Sequence, residues 1–441
     1  MTVKQRWPIV VPVLVVIFFF FACAAWPQSS GAVSEFEVNG LKVILKQRPG
    51  TQTVAAGLFV RGGSSNITAA NAGIEDLLLN VSSDGSVRFP RALLRSEMAR
   101  MGSTLGYFTT VDYSAFSMSC TREQFDLTWQ IFTDTALRPA LLPADVELEK
   151  QRQIAALKSN QDAPDDLLQF SQERVVFAGH PYANDPHGTP ASLAKLTSAD
   201  LKLYHRQIMQ TSHLLLVIVG DLDMYSLKSR VTAAFSTLPK GDYKASAVPL
   251  LTFSAAHVEV IPRTLPSNYV QGAYGGPAYG SSDFAAMQVA SSILADRVFS
   301  EVRTKRNLSY APSAHLNSQN ASSGVLYVTA VDVNQSIGLM LQEVTSLKKD
   351  PVNAETLSAV GAQFVTQYYL DNETSGAQAG ALARYELIGG GWRNAETLIE
   401  RVRAVTPADV QRVAQKYMRN FQFTVIGDEK AVNKQVLTTE P

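Results

Sequence analysis

The chain says one thing twice. Near the end of its first half it runs "LTSADLKLYHRQIMQTSHLLLVIVGDLD", closing on Gly220-Asp221, and near its own end it runs "VTPADVQRVAQKYMRNFQFTVIGDEK", closing on Gly427-Asp428. Each copy has a Thr, then Ala-Asp, then an amphipathic helical stretch, then an apolar strand. A repeat of this length implies a duplicated domain, which limits the chain to folds built from two equivalent halves. The local chemistry agrees. Thr197 and Thr406 sit where a helix N-cap is wanted, Asp200 and Asp409 follow at the capping-box position, and Pro407 occupies the favoured first turn.

Each half also opens in strands. "EFEVNGLKVILKQRP" turns at Asn39-Gly40, a strong hairpin signal, and "TVAAGLFVRGG" follows; the second half answers with "HVEVIP" and "NYVQGAYGGP". Between opening and closing strands lie helical stretches such as "RALLRSEMARMG", with Gly102 as its stop, and "EQFDLTWQIFTDTAL". The order predicts an α+β fold, each half an antiparallel-rich sheet with helices packed on one face. The expected boundaries are a first domain at 31–243, a linker at 244–255 where turn formers replace periodicity, and a second domain at 256–441.

With 441 residues, 46% of them hydrophobic, the chain can bury large cores. Thirty-nine basic residues balance thirty-nine acidic ones, and no basic run offers a footprint for nucleic acid, which is excluded as a partner. Residues 1–30 differ in kind: Lys4 and Arg6 precede the apolar run "PIVVPVLVVIFFFFACAAW", slightly short of the ~20 residues that span a bilayer. That is the shape of a secretory signal peptide; lipidation at Cys23 and an uncleaved membrane anchor are the other two readings. All three export the body, to the periplasm in a bacterial setting. Beyond Cys23 only Cys120 remains, and its apolar setting reads as a buried thiol.

"NAGIEDLLLN" places Asp76 and Asn80 four apart on the first turns of a helix, on one face, with Leu77, Leu78 and Leu79 between them. The two α+β halves, "HPYANDPHGTPASLAKLTSADL" ahead of a strand ending in Gly-Asp, and "RVFSEVRTKRNLSYAPSAH" in the second half together resemble the M16 family of metallopeptidases, which includes insulinase and the mitochondrial processing peptidase. The resemblance runs from about residue 34 to 430 and implies two LuxS/MPP-like halves. Active members carry His-x-x-Glu-His on a first-half helix: two histidines hold zinc, the glutamate serves the metal-bound water as base, and a distant glutamate completes the shell. On that pattern Asp76 and Asn80 stand at the histidine positions, Leu79 at the base and Ala156 at the distant ligand, while Glu149 keeps an accessory glutamate. Leucine cannot move a proton and alanine cannot ligate. Nor does Glu75 stand in, since it points about 100° round the helix from Asp76. Gly106 stands where active relatives place a substrate-contacting asparagine. The expectation is therefore no catalytic residue and no metal in this chain.

The second half keeps what the first has lost. "RTKRNLSY" supplies Arg303 and Tyr310 seven residues apart, the pair that in the family holds the substrate backbone and steadies the tetrahedral intermediate. The resemblance thus implies a non-catalytic subunit of a heterodimeric peptidase. Arg303 and Tyr310 would bind peptide substrate, and zinc would reside in a partner subunit bearing His-x-x-Glu-His. A metal-free scaffold or peptide-binding homodimer, and a zinc endopeptidase with an atypical site, are the alternatives. His180 and His187 flank Asp185 in a proline- and glycine-rich stretch that reads as a turn rather than a metal site. The glycines at Gly275-Gly276 and Gly389 to Gly391 lack the Lys-Ser/Thr of a phosphate loop.

Overall fold

The computed structural model describes residues 31–160 and 162–441. The expected signal peptide or anchor at 1–30, with Cys23, lies outside them.

The first sheet begins as the hairpin signal requires. Asn39 and Gly40 both take positive φ, 48° and 84°, the geometry of a two-residue type I′ turn, and join β1 (Val33–Val38) to β2 (Leu41–Gln47). The sheet continues through β3 (Thr53–Arg61), β4 (Thr104–Thr109), β5 (Tyr113–Thr121) and β6 (Leu214–Gly220), in the spatial order β1-β2-β6-β3-β5-β4. The second sheet holds β7 (His257–Pro262), β8 (Asn268–Gly275), β9 (Ser313–Leu316), β10 (Ser323–Ala330) and β11 (Gln422–Gly427), ordered β7-β11-β8-β10-β9. Apart from β1 the two orders are equivalent, down to the sense of each pairing: β2 is parallel to β6 and β7 to β11, and the remaining pairs are antiparallel. The sequence repeat is thus a repeat of topology.

The helices that matter to the site are α1 (Ile74–Ser83), α2 (Arg91–Met101), α3 (Phe125–Leu137), α4 (Pro143–Asn160), α5 (Pro164–Val176) and α6 (Ser198–Ile208) in the first half. In the second they are α7 (Phe284–Val298), α8 (Val333–Lys349), α9 (Ala354–Asp371), α10 (Ser375–Ile388) and α11 (Pro407–Tyr417). Both expected capping boxes form: Thr197 caps α6 with Asp200 returning the bond, and Thr406 caps α11 with Asp409. Gly102 ends α2 at φ 61°.

On one face of the first sheet, Leu77, Leu78 and Leu79 of α1 pack with Trp129 and Phe132 of α3. Every residue of β6 and of β11 is buried, so both strands present apolar side chains to two covered faces. The expected single helical face is therefore half of the arrangement. Each half donates one helix to the back of the other's sheet. From the second half, α10 lies on β3 and β6, setting Ala379, Leu382 and Ala383 in one core with Phe59, Leu215 and Val217. In return α5 lies on β8 and β11, where Gln172 Nε2 donates to the Gln422 carbonyl at 2.8 Å. Residues 241–256, which contain no strand or helix, run between the halves.

Candidate functional site

Two places carry the residues singled out above, one in each half. The first is the start of α1. Gly73 precedes the helix with φ 88°, and a Cβ there would meet Gly188 Cα and the His187 carbonyl, both at 3.0 Å. Only glycine lets the loop after Tyr182 approach so closely. That approach sets His187 over Asp76, with Nδ1 3.4 Å from Oδ1.

Asp76 is 8% exposed and its carboxylate is already in use. Thr109 at the end of β4 donates to Oδ1 at 2.6 Å, and Gln153 of α4 donates to Oδ2 at 2.8 Å. The hydrogen bond to Asp76 raises the His187 pKa above its ordinary value, against the opposing pull of burial. Leu79 is 0% exposed, part of the apolar core, while Asn80 is half-buried one turn beyond Asp76. Ala156 is exposed on α4. Glu149, buried, accepts from Arg152 at 2.8 Å and lies 3.6 Å from Arg91. Glu75 points away into the core, accepting from Ser114, Tyr204 and Asn66. Burial drives its pKa up. Among the described residues, no group of three or more His, Cys, Asp and Glu side chains is arranged to hold a metal. The family's zinc does not fit here: the Asp76 carboxylate is tied by three neighbours, and Leu79 and Ala156 offer no donor.

The second place is the turn after α7. Phe299–Thr304 forms a π-helical turn, a form often found at functional sites, and it projects Arg303. Arg303 Nη1 donates to Asn307 Oδ1 at 2.6 Å, and the guanidinium carbon lies 4.8 Å from the centre of the Tyr310 ring. Tyr310 is 81% exposed, an expensive position for an aromatic ring unless something covers it. The pair lines an open groove of about 570 Å³ with Phe299, Pro312 and Tyr327. Tyr327 is held by its hydroxyl, which donates to Asp165 of α5 at 2.6 Å. The second half thus lines the groove, and the first half braces one of its walls through Asp165.

The structure brings together Asp76, Gln153 and His187, a grouping the sequence pattern does not reveal; the glycines at 73 and 188 are its signal. His180 does work as a turn residue, Nδ1 accepting from the Tyr182 amide at 3.1 Å and Nε2 bonding the Pro249 carbonyl at 2.8 Å. Cys120 is buried, and burial pushes its thiol up to about 11.

Comparison with known proteins fits this architecture. Residues 42–185 match the insulinase family, peptidase family M16, and residues 195–364 match the family described as peptidase M16 inactive domain. The chain belongs to the M16 family. This M16 chain is 22% identical over 409 residues to an uncharacterized zinc protease of Streptomyces coelicolor, covering 89% of this chain and 88% of that one. It is 25% identical over 306 residues to cytochrome b-c1 complex subunit 1 of Bos taurus mitochondria, covering 68% of this chain and 62% of the bovine one. A crystal structure of a peptidase M16 inactive domain from Pseudomonas fluorescens superposes with a TM-score of 0.82 at 18% identity, covering 90% of this chain and 98% of the other, a likeness of fold. Among the described residues, no helix of this M16 chain is long and apolar enough to cross a membrane.

Proposed function

We propose that this M16 chain is an exported, non-catalytic subunit that lends Arg303 and Tyr310 to a peptidase chamber completed by a zinc-bearing homologue. One observation carries the reading: a ligand set that cannot hold zinc coexists with an exposed, pre-oriented arginine–tyrosine groove. Exposed aromatic surface beside a guanidinium with free donors is what a bound peptide backbone would cover. The guanidinium and phenol are fixed donors of the kind that stabilise a developing oxyanion when a second chain brings the reacting carbonyl to them. The zinc, its bound water and the general base belong to the partner in this reading. The apolar N-terminal run supports export to the periplasm, with cleavage, lipidation at Cys23 or retention as an anchor as its three outcomes.

The bovine relative supports a second reading, because it is by name a subunit of the cytochrome b-c1 complex. On that reading the chain is a metal-free scaffold or a peptide-binding homodimer. One experiment separates the two: isolate the chain with what accompanies it in the native cell, then assay zinc content and peptide cleavage for the wild type and Arg303→Ala. Cleavage by the pair that falls about 100-fold in Arg303→Ala supports the subunit reading. A complex without cleavage supports the scaffold, and zinc with cleavage from the isolated chain overturns both.

A further inference from the structure

Asp76 keeps three polar neighbours although the chemistry that the position serves in active relatives is missing. Thr109 belongs to β4, Gln153 to α4 and His187 to the loop that follows Tyr182, so a single carboxylate on α1 gathers three other segments of the first half. Two of those segments go straight on to the second half. After Thr109 the chain turns into β5, and at that turn Asp112, 9% exposed, accepts from the Tyr182 hydroxyl and from the Asn320 amide at 3.1 Å. The Tyr182 ring is 2% exposed, and its oxygen in turn accepts from the Ala321 amide at 3.2 Å. Asn320 and Ala321 lie in the turn between β9 and β10, which is the second half's equivalent of the turn between β4 and β5.

The two equivalent turns therefore meet, with Tyr182 between them. Their strands lead to the groove: β9 starts at Ser313, directly after Tyr310, Ala311 and Pro312, and Tyr327 stands on β10. We propose that the degenerate metal pocket serves as a joint, in which Asp76 fixes the β4–β5 turn and the Tyr182 loop, and these fix the β9–β10 turn, whose strands lead to the groove. The physical basis is that Asp76 and Thr109, like Asp112 and Tyr182, are buried, so removing one partner leaves the other an unpaired polar group that water does not reach. Position 76 thus keeps a task that needs a buried acceptor oxygen and no metal.

Amide exchange followed by mass spectrometry on the full chain tests this without peptide or partner, so failure of the subunit reading leaves the test intact. In Asp76→Ala the amides of 318–322 and 110–113 are expected to exchange about tenfold faster, the scale of one lost buried hydrogen-bond partner. Asp76→Asn, which keeps an acceptor for Thr109, is expected to restore wild-type exchange, and Asn80→Ala to leave both turns unchanged. Unchanged exchange at 318–322 in Asp76→Ala, or acceleration spread evenly over the chain, overturns the joint. Should Asp76→Ala not fold, Tyr182→Phe reads the next step: both turns are expected to loosen together, and exchange unaltered at 318–322 overturns the proposal.

Discussion

Tyr204 donates its hydroxyl to Glu75 Oε2 across 2.5 Å, and both groups are buried. With Ser114 and Asn66 the phenol satisfies the carboxyl, yet burial is the largest influence and raises its pKa. A raised carboxyl binds its proton more tightly in the folded state than in the unfolded one. Its contribution is therefore most favourable at low pH, and stability falls as pH rises from the ordinary carboxylate value through the folded one. Glu75→Gln, isosteric and uncharged, is expected to raise the melting temperature, and more at pH 8 than at pH 5. An equal shift at both pH values would show that Glu75 does not titrate between the two states.

His213 works in the opposite sense. It is buried, stacked on Tyr243 at 3.7 Å, and bonds the Arg61 carbonyl through Nε2, and burial pushes its pKa down to about 4 from 6.5. The folded state binds fewer protons than the unfolded one across that window. Its stabilisation is complete above pH 6.5 and is lost as pH falls towards 4, on the order of 3 kcal/mol in total. Because the Glu75 and His213 slopes oppose each other, Glu75→Gln is expected to steepen the loss of stability between pH 6.5 and 4.5. Urea titrations at half-unit steps check this, and a slope no steeper than wild type rejects it.

Much of this was legible in the residues. Thr197 with Asp200, Thr406 with Asp409, Asn39-Gly40 and Gly102 are short-range signals whose meaning depends on a few neighbours, and each formed as read. That Leu79 cannot move a proton and Ala156 cannot ligate was legible for the same reason, since a side chain without a lone pair stays without one in any fold. The exchange of α5 and α10 between the halves was not, because helix periodicity marks an apolar face without naming the sheet that covers it. His187 beside Asp76 and Tyr182 beside Asp112 were hidden too; both contacts join residues distant in sequence, through backbone approaches that only the packed structure reveals.

The exchanged helix, through the core it shares with both halves, is expected to make them unfold as one cooperative unit. Leu382 on α10 is buried in a core that contains Phe59, Leu215 and Val217 of the first sheet as well as second-half residues. Leu382→Ala is expected to cost about 2–5 kcal/mol and to lower a single melting transition. Two resolved transitions in calorimetry, with only one displaced, would show that the halves unfold independently.

Rebuilding the family's metal set puts the sharpest demand on α1. Asp76→His, Leu79→Glu, Asn80→His and Ala156→Glu together supply the motif on paper. Three features of the structure oppose it. Leu79 is enclosed by the first-half core, so a glutamate there places a carboxylate among leucines and aromatic rings, at several kcal/mol unless a cation meets it. Replacing Asp76 removes the acceptor that Thr109 and Gln153 share. Arg91 and Arg152 already hold the neighbouring Glu149. The fourfold variant is expected to melt at least 5 °C below wild type, since about 1 kcal/mol moves a domain of this size by a few degrees. It is also expected to hold far less than one zinc per chain after dialysis. A variant that keeps wild-type stability and binds zinc one to one would show that the pocket is short of ligands only, and that its surroundings still accept a metal.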